Sequence, residues 1–371
     1  MEFNQISNNL FLLASTLTEP ICIAHEKLFS KVLLEDNDKL YPKNSILSTS
    51  SKISNLVQST LLTVIGIPLA AIGVAVRFIA IHINPNNFSY YQTSAPELPF
   101  NENNIDLFFQ NICGIAGGFP TIQSKLKPWR ERLDIIVENI RREDKPLIFL
   151  EEVYDHKIGL ELIEKLKSQY PHFIFNTGPI SYGSPMGLFI ASKYPINTPK
   201  FSYFPTATNI GETKFIGKGI FSCYMGDTLF ILSHLQHSKN HKKPLFCEIS
   251  ARAEQIKIIE KFIQKEKKKN SNIRVVFLGD LNFKAEEMDQ LKLSDRFQIP
   301  QELDQPSSFP TKKVYDGEKV SLEDGYTIDH ILMEKNSNSE VTVEILPAFD
   351  IHQMTADYSS DHHCLIGKIT N

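Results

Sequence analysis

No two cysteines in the 371-residue chain stand at the CxxC spacing of a zinc site or a redox motif. The five present (Cys22, Cys113, Cys223, Cys247 and Cys364) are scattered and odd in number, the pattern of reduced thiols and not of a disulfide scaffold. Excess charge is also scarce. Against 43 acidic residues stand 39 basic ones, a formal net charge of -4, so the total demands no polyanionic partner, although a local basic patch fits within it. There is no internal repeat. The opening Met-Glu-Phe-Asn-Gln has no basic segment, and its first apolar patch, Leu10 to Ala14, soon meets Glu19 and Pro20, unlike an ordinary secretory signal. With 42% hydrophobic and 22% charged residues, the composition excludes a disordered or collagenous chain, and the length suffices for a large core.

What is present is unevenly distributed. Between Lys52 and Arg77 lie 24 residues without a charge. As a straight helix they reach roughly 36 Å, enough for a hydrocarbon core of about 30 Å. The apolar character continues past Arg77 in Phe78, Ile79, Ala80 and Ile81, so 53–83 is expected to be a membrane segment, spanning or re-entrant. Gly66, Pro68 and Gly73 would kink a spanning helix or bend two short ones into a hairpin. A buried core helix is the alternative. Residues 1–52 are expected to form a helical N-terminal region, and 84–104, rich in Asn and Pro, a linker.

From Ile105 to the end at 371, strands and amphipathic helices alternate. Strands are predicted at Ile105–Asn111, Leu147–Leu150, Phe173–Asn176, Gly187–Ser192, Gly219–Met225, Thr228–His234, Arg274–Leu278, Ile328–Met333 and His363–Ile369. Leu133, Ile136, Val137 and Ile140 carry a helical period, as do Ile256, Ile259 and Ile263. The lysines at 265–269 read as a solvated helix end.

Polar residues collect where the strands end. Val275–Leu278 runs into Gly279-Asp280-Leu281-Asn282. In extended chain, residues i and i+2 point the same way, so Asp280 and Asn282 offer a carboxylate and an amide to one site. Leu147–Leu150 leads into Glu151-Glu152, and Phe230–Ser233 into His234. Asp329 lies in a strand, and Asp361-His362 precedes the last one. Several strands each delivering an acid, amide or imidazole at one end is how α/β enzymes build sites. Each motif alone is as consistent with a helix cap or a structural histidine. No catalytic role is expected for His237, His241, His330, His352 or His363.

Chain order adds specificity. Gln110-Asn111, Leu150-Glu151-Glu152-Val153, Ser233-His234-Leu235-Gln236, Gly279-Asp280-Leu281-Asn282, Ile328-Asp329-His330-Ile331 and Ser360-Asp361-His362 follow in the order of the endonuclease/exonuclease/phosphatase superfamily, which residues 105–371 resemble. The resemblance implies an α/β four-layer sandwich, two mixed β-sheets flanked by helices, with a hydrophobic helical region ahead of it. It also implies a metal-dependent phosphodiesterase using Mg²⁺, or Mn²⁺ in its place. Its metal ligands would be Glu152, Asn111 and Asp361. Asp280 would orient or deprotonate water, and Asn282 would bind a phosphoryl oxygen. His362, oriented by Asp329, would be general base or proton shuttle, and His234 would stabilise developing charge.

Within the superfamily, Glu152-Val153-Tyr154-Asp155, the run from Gly187 to Ile196, Gly217-Lys218-Gly219 and Arg252-Ala253-Glu254-Gln255 are similar to the neutral sphingomyelinases. That branch implies a membrane-associated enzyme that hydrolyses sphingomyelin to ceramide and phosphocholine, with Lys218 at the substrate. Its expected partners are a phospholipid membrane and a lipid substrate, and no nucleic acid. The sequence departs from the branch where Glu151 replaces Gln, Pro185 replaces Asn, and Thr213, beside Glu212, replaces an Asp that acts with the lysine. The alternatives are a superfamily esterase for nucleic acid, inositol phosphates or phosphoinositides, and a dead catalytic fold tethered to a membrane. Frequent Asn, Lys and Ile suggest an AT-rich, bacterial genome, and the expected location is a membrane, that of a host if the protein is exported.

Overall fold

The computed structural model describes residues 2–28, 49–115, 126, 128–241, 243–298, 300, 308–310, 314–316, 319–321, 325–335, 339–346, 348 and 359–370. Two long helices come first, α1 (Glu2–Leu28) and α2 (Thr49–Ile83). There follow β1 (Ser89–Gln92), β2 (Asn104–Gly114), α3 (Trp129–Glu143), β3 (Leu147–Val153), α4 (His156–Leu166), β4 (His172–Phe175), β5 (Phe189–Ser192), β6 (Asn197–Tyr203), β7 (Gly219–Met225) and β8 (Thr228–Leu232). Then come α5 (Phe246–Lys269), β9 (Arg274–Asp280), α6 (Ala285–Gln290), α7 (Leu293–Arg296) and β10 (Phe297–Gln298). Short strands β11 (Phe309–Pro310), β12 (Val314–Asp316), β13 (Lys319–Ser321) and β14 (Gly325–Tyr326) precede β15 (Asp329–Glu334), β16 (Glu340–Leu346) and β17 (Cys364–Thr370).

The main strands form two mixed sheets. One has seven strands in the order β1-β4-β5-β3-β2-β17-β16, the other six in the order β10-β15-β9-β8-β7-β6. Each uses both phases of its apolar alternation. Leu107 and Phe109 of β2 join Phe230 and Leu232 of β8 and Val276 and Leu278 of β9 in a core between the sheets. The neighbouring Phe108 and Ile148 face outward and meet Leu133, Ile136, Val137 and Ile140 of α3. On the far side Leu229, Ile231, Val275 and Phe277 meet Ile256, Ile259 and Ile263 of α5. The layers are therefore helix, sheet, sheet, helix, as the resemblance implies.

The stretch 84–104 is more than a linker. Ser89–Gln92 forms the edge strand β1, antiparallel to β4 with Tyr90 opposite Ile174. It supplies backbone partners to an edge that would otherwise lie open. Four residues between Asn- and Pro-rich flanks are too few for alternation to announce them.

α2 is long and apolar enough to cross a membrane by length and composition, and mostly exposed. It runs as one helix through Gly66, Pro68 and Gly73, so the hairpin of two short helices does not form. Its glycines serve contact instead. A Cβ on Gly66 would lie 2.8 Å from the Ile21 nitrogen of α1, and one on Gly73 would lie 2.9 Å from Thr18 Cγ2. The two helices are antiparallel: Ser7 Oγ donates to the Ala80 carbonyl (3.0 Å) and Ser59 Oγ to the Ala24 carbonyl (2.7 Å).

Candidate active site

Each large sheet has a parallel pair at its centre, β2 with β3 and β8 with β9. The C-terminal ends of all four strands meet at one seam between the sheets. β2 delivers Asn111 where its register with β3 shifts, a local irregularity that re-aims the chain. β3 delivers Glu151 and Glu152. His234 and Asn282 follow β8 and β9, and Asp280 ends β9. Asp329 begins β15 and pairs with Asp280 in antiparallel register. Asp361 and His362 lead into β17. Glu152 and Asn282 take left-handed backbone angles, φ 59° and 55°, which non-glycine residues adopt at a cost of about 1 kcal/mol or more. Both lie where a strand must turn its side chain out of the sheet.

The side chains converge. His362 Nδ1 lies 2.8 Å from Asp329 Oδ2, and its Nε2 lies 3.9 Å from Asp280 Oδ2. His234 Nε2 approaches the same Asp280 oxygen at 3.7 Å. Asn111 Nδ2 donates to it at 3.1 Å, crossing from one sheet to the other. Asn282 turns its amide to the Leu235 carbonyl (3.4 Å), which also accepts from the Lys218 ammonium. Glu152 and Asp361 are half-buried, while Asn111, Lys218, His234, Asp280, Asn282, Asp329 and His362 are buried. The structure thus gathers every residue singled out from the sequence.

Electrostatics follow from crowding acids in a dry seam. Burial works against the charged form of His362, but the carboxylates of Asp329, Asp280 and Asp361 outweigh it and hold the imidazole well above its usual range. Burial raises the Asp280 carboxyl to about 7, with Asp329 adding to the rise and His362 opposing it. Burial, then Asp361, raises Glu152, while His362, Asn111 and Lys218 oppose. Burial lowers Lys218 to about 8 against the pull of Asp280, Glu152 and Glu151. His234 is pushed well below its usual value by burial and then by Lys218.

The donors suit a divalent cation. One ligand atom each from Glu152, His234 and Asp280 lie within 4.8 Å of one another, as do those of Asp280, Asp329 and His362. Asp329 Oδ1 and His234 Nδ1 are buried without a hydrogen-bond partner among the described residues. Carboxylate oxygens with an amide beside them match a hard ion that keeps several waters.

Among the described residues, the histidines set aside are engaged by other partners. His330 Nε2 meets the Phe283 carbonyl at 2.9 Å, His237 pairs with Glu212 at 3.1 Å, and His363 Nδ1 accepts from the Ala348 amide at 3.1 Å. His241 packs against Phe309 and Tyr326, and His352 lies outside the described residues. Thr213, which replaces the acid, bonds Gln236 Oε1 at 2.6 Å, whereas Lys218 turns to Leu235.

Two positioning roles are not assigned from the sequence, although Gln110 stands beside Asn111 in a matched motif. Arg132 of α3 is fully buried and donates to the carbonyls of Ile112 (2.8 Å), Cys113 (2.7 Å) and Ser359, tying the ends of β2 and the Asp361–His362 turn together. Its signal was a charge set beside Leu133 and Ile136 on the apolar face. Gln110 bonds Ser359 Oγ (3.0 Å) and the His362 carbonyl (3.2 Å) from below.

Glu151 is a fully buried acid that accepts from the Asp280 amide at 2.9 Å. Burial, then the Asp280 carboxylate, raises its pKa well above 4.5. The folded protein therefore keeps a proton that the unfolded chain sheds above pH 4.5, so this residue's contribution to stability is lost as pH rises from there. Glu151→Gln should keep turnover near that of the parent. In chelator its unfolding midpoint should exceed the parent's, by a margin that widens from about pH 5 to about pH 8 at up to about 1.4 kcal/mol per unit. A margin that narrows with pH would show the carboxylate to be ionised in place.

No curated protein sequence matches the chain. In three dimensions it is similar to a magnesium-bound variant of beta toxin from Staphylococcus aureus, with 20% identity, TM-score 0.54, and 71% of this chain and 99% of that one covered. It is similar to sphingomyelinase C from Streptomyces griseocarneus (16%, 0.50, 71% and 99%). It is also similar to D. rerio TDP2 complexed with a single-strand DNA product (15%, 0.51, 73% and 100%). At these identities the likeness shows the fold. The profile of the Endonuclease/Exonuclease/phosphatase family matches residues 108–362, from β2 through His362, and the chain belongs to that family of divalent-metal-dependent phosphoesterases.

Proposed function

We propose that the protein is a membrane-associated, Mg²⁺-dependent phosphodiesterase that hydrolyses sphingomyelin to ceramide and phosphocholine. The observation that carries this reading is the apolar pair α1 and α2 docked on the rim of the site. Glu19 of α1 meets Arg130 (2.8 Å) and Lys157 (2.5 Å), the latter five residues after Glu152, and Arg77 of α2 donates to the Gly183 carbonyl (3.0 Å). Similarity to sphingomyelinase C supports it, and similarity to TDP2 supports a nucleic-acid substrate instead. The lysine-rich end of α5 is no phosphate track to the site. Lys267 pairs with Glu334 (2.5 Å), at the end of β15 opposite Asp329.

Glu152, Asn111 and Asp361 would hold the ion, which when bound neutralises phosphoryl oxygens. Asp280 orients the attacking water and takes up its proton as the oxygen bonds to phosphorus. The bond from phosphorus to the ceramide oxygen breaks, and His362, charged beside Asp329, returns a proton to that oxygen. Asn282, with Lys218 behind it, and His234 donate to the phosphoryl oxygens.

The test is a panel of sphingomyelin vesicles, a phosphoinositide and single-stranded DNA, each with Mg²⁺, with Mn²⁺ and with chelator. Metal-dependent release of phosphocholine should exceed the other activities by at least about tenfold. Faster cleavage of DNA or of the phosphoinositide would replace the reading, and no hydrolysis under any condition would leave a binding module.

A further inference from the structure

α1 lies along the wall of the catalytic domain, not end-on to it. Asn8 contacts Ser89, the Phe11 ring lies 5.7 Å from that of His156, Glu19 meets Lys157 and Arg130, and Glu26 reaches Arg130 at 3.4 Å. From Asn8 to Glu26 these anchors span about 27 Å of helix. α2 runs back along α1, turning Ser59, Gly66, Gly73 and Ala80, one face at seven-residue spacing, toward it. Among the described residues its opposite face is exposed and apolar. Val57, Leu61, Val64, Ile65, Ile72 and Ile79 are each more than half exposed. Arg77, which ends the uncharged run, is folded inward onto the Gly183 carbonyl. Beside that glycine stand Tyr182 and Phe215, 70% and 56% exposed, with ring centroids 6.3 Å apart. Gly183 lies four residues before Gly187, whose carbonyl accepts from Val153 next to Glu152.

A crossing α2 would draw α1 and the ion pairs of Glu19, Arg130 and Lys157 to hydrocarbon depth, where buried charges cost several kcal/mol each. With one face covered by α1, only the opposite apolar face of α2 is left to bury, and the interface of one leaflet takes it without moving those charges. We propose that α2 lies in the plane of a single phospholipid leaflet, with α1 between it and the catalytic domain, and that Tyr182 and Phe215 rest at the same interface beside the mouth of the site. The membrane is then a surface on which the site is laid, not a barrier that the chain crosses. This rests on the reading of the protein as a lipid-surface enzyme.

Depth measurements on the full chain test it. Cys22 and Cys247 are replaced by serine, and an environment-sensitive fluorophore is placed through Val57→Cys, Val64→Cys, Ile79→Cys or Tyr182→Cys, with phosphatidylcholine–sphingomyelin vesicles as the probe. All four positions should shift to the blue and report one shallow depth, about 5–10 Å below the headgroups, with quenching by lipids brominated near the headgroup and little by lipids brominated at the chain ends. A depth that is greatest at Val64, with Val57 and Ile79 toward opposite surfaces, would overturn the proposal in favour of a crossing helix. No shift on adding vesicles would overturn it in favour of a protein partner on that face. Phosphocholine release, read in the same samples, separates the two readings. Shallow depth without hydrolysis defeats the substrate and keeps the anchor, and hydrolysis with a crossing profile does the reverse.

Discussion

Replacing His362 with alanine is expected to lower phosphodiester turnover by about 10²–10⁴-fold, the range for loss of a positioned acid–base group. The imidazole is buried, with Nδ1 held by Asp329 at 2.8 Å and Nε2 turned to Asp280. Three carboxylates keep it charged despite burial, so it holds a proton ready for the leaving oxygen. Asp329→Asn should fall between parent and His362→Ala, because the amide keeps a hydrogen bond but removes the charge that supports the imidazolium. His363→Ala is the comparison. Its ring accepts from the Ala348 amide, so its loss should weaken folding more than chemistry. Steady-state rates beside thermal unfolding check all three, and a larger rate loss for His363→Ala than for His362→Ala would exclude the assigned proton route.

Glu152→Gln should cut turnover on the order of 10²-fold, about 2.7 kcal/mol of transition-state stabilisation, without unfolding the domain. Burial and Asp361 already disfavour this carboxylate, so a neutral isostere relieves repulsion in the empty seam. The melting temperature in chelator should stay equal or rise. Added Mg²⁺ should raise the melting temperature of the parent, since a ligand that binds only the folded state stabilises it, and leave that of the variant nearly unchanged. An undiminished Mg²⁺ shift in the variant would place the ion on other ligands.

Much of this site was legible because its residues end apolar strands. Val275–Leu278 announces a buried strand, and the acid and amide after it have few reasons to follow such a run unless it opens at a site. Other features depend on register. Asp329 is a lone acid in a strand until antiparallel pairing sets it opposite Asp280. Arg132 reads as a surface charge until the carbonyls of Ile112 and Ser359 are brought to it by segments far along the chain. β16 does alternate, with Val341, Val343 and Ile345 on one phase, but the Glu and Thr residues between them resemble a polar loop. Edge strand β1 has four residues and no periodicity to find. The α2 glycines have the composition of a kink, and only the approach of α1 gives them another use.

The same docking sets a problem of timing for the ribosome. Glu19 waits for Arg130, 111 residues later, and for Lys157, 138 residues later. At about 5–20 residues per second that interval is on the order of 10 s. Once Ile83 is made α2 is complete, yet α1 has no wall to lie on until Arg130 and Lys157 follow, so this apolar surface is presented before the fold that orients it exists. Synthesis therefore favours a cell in which a targeting factor, a chaperone or the bilayer itself meets the hairpin early, and a cell-free system lacking all three should yield aggregate in proportion to the length of that wait.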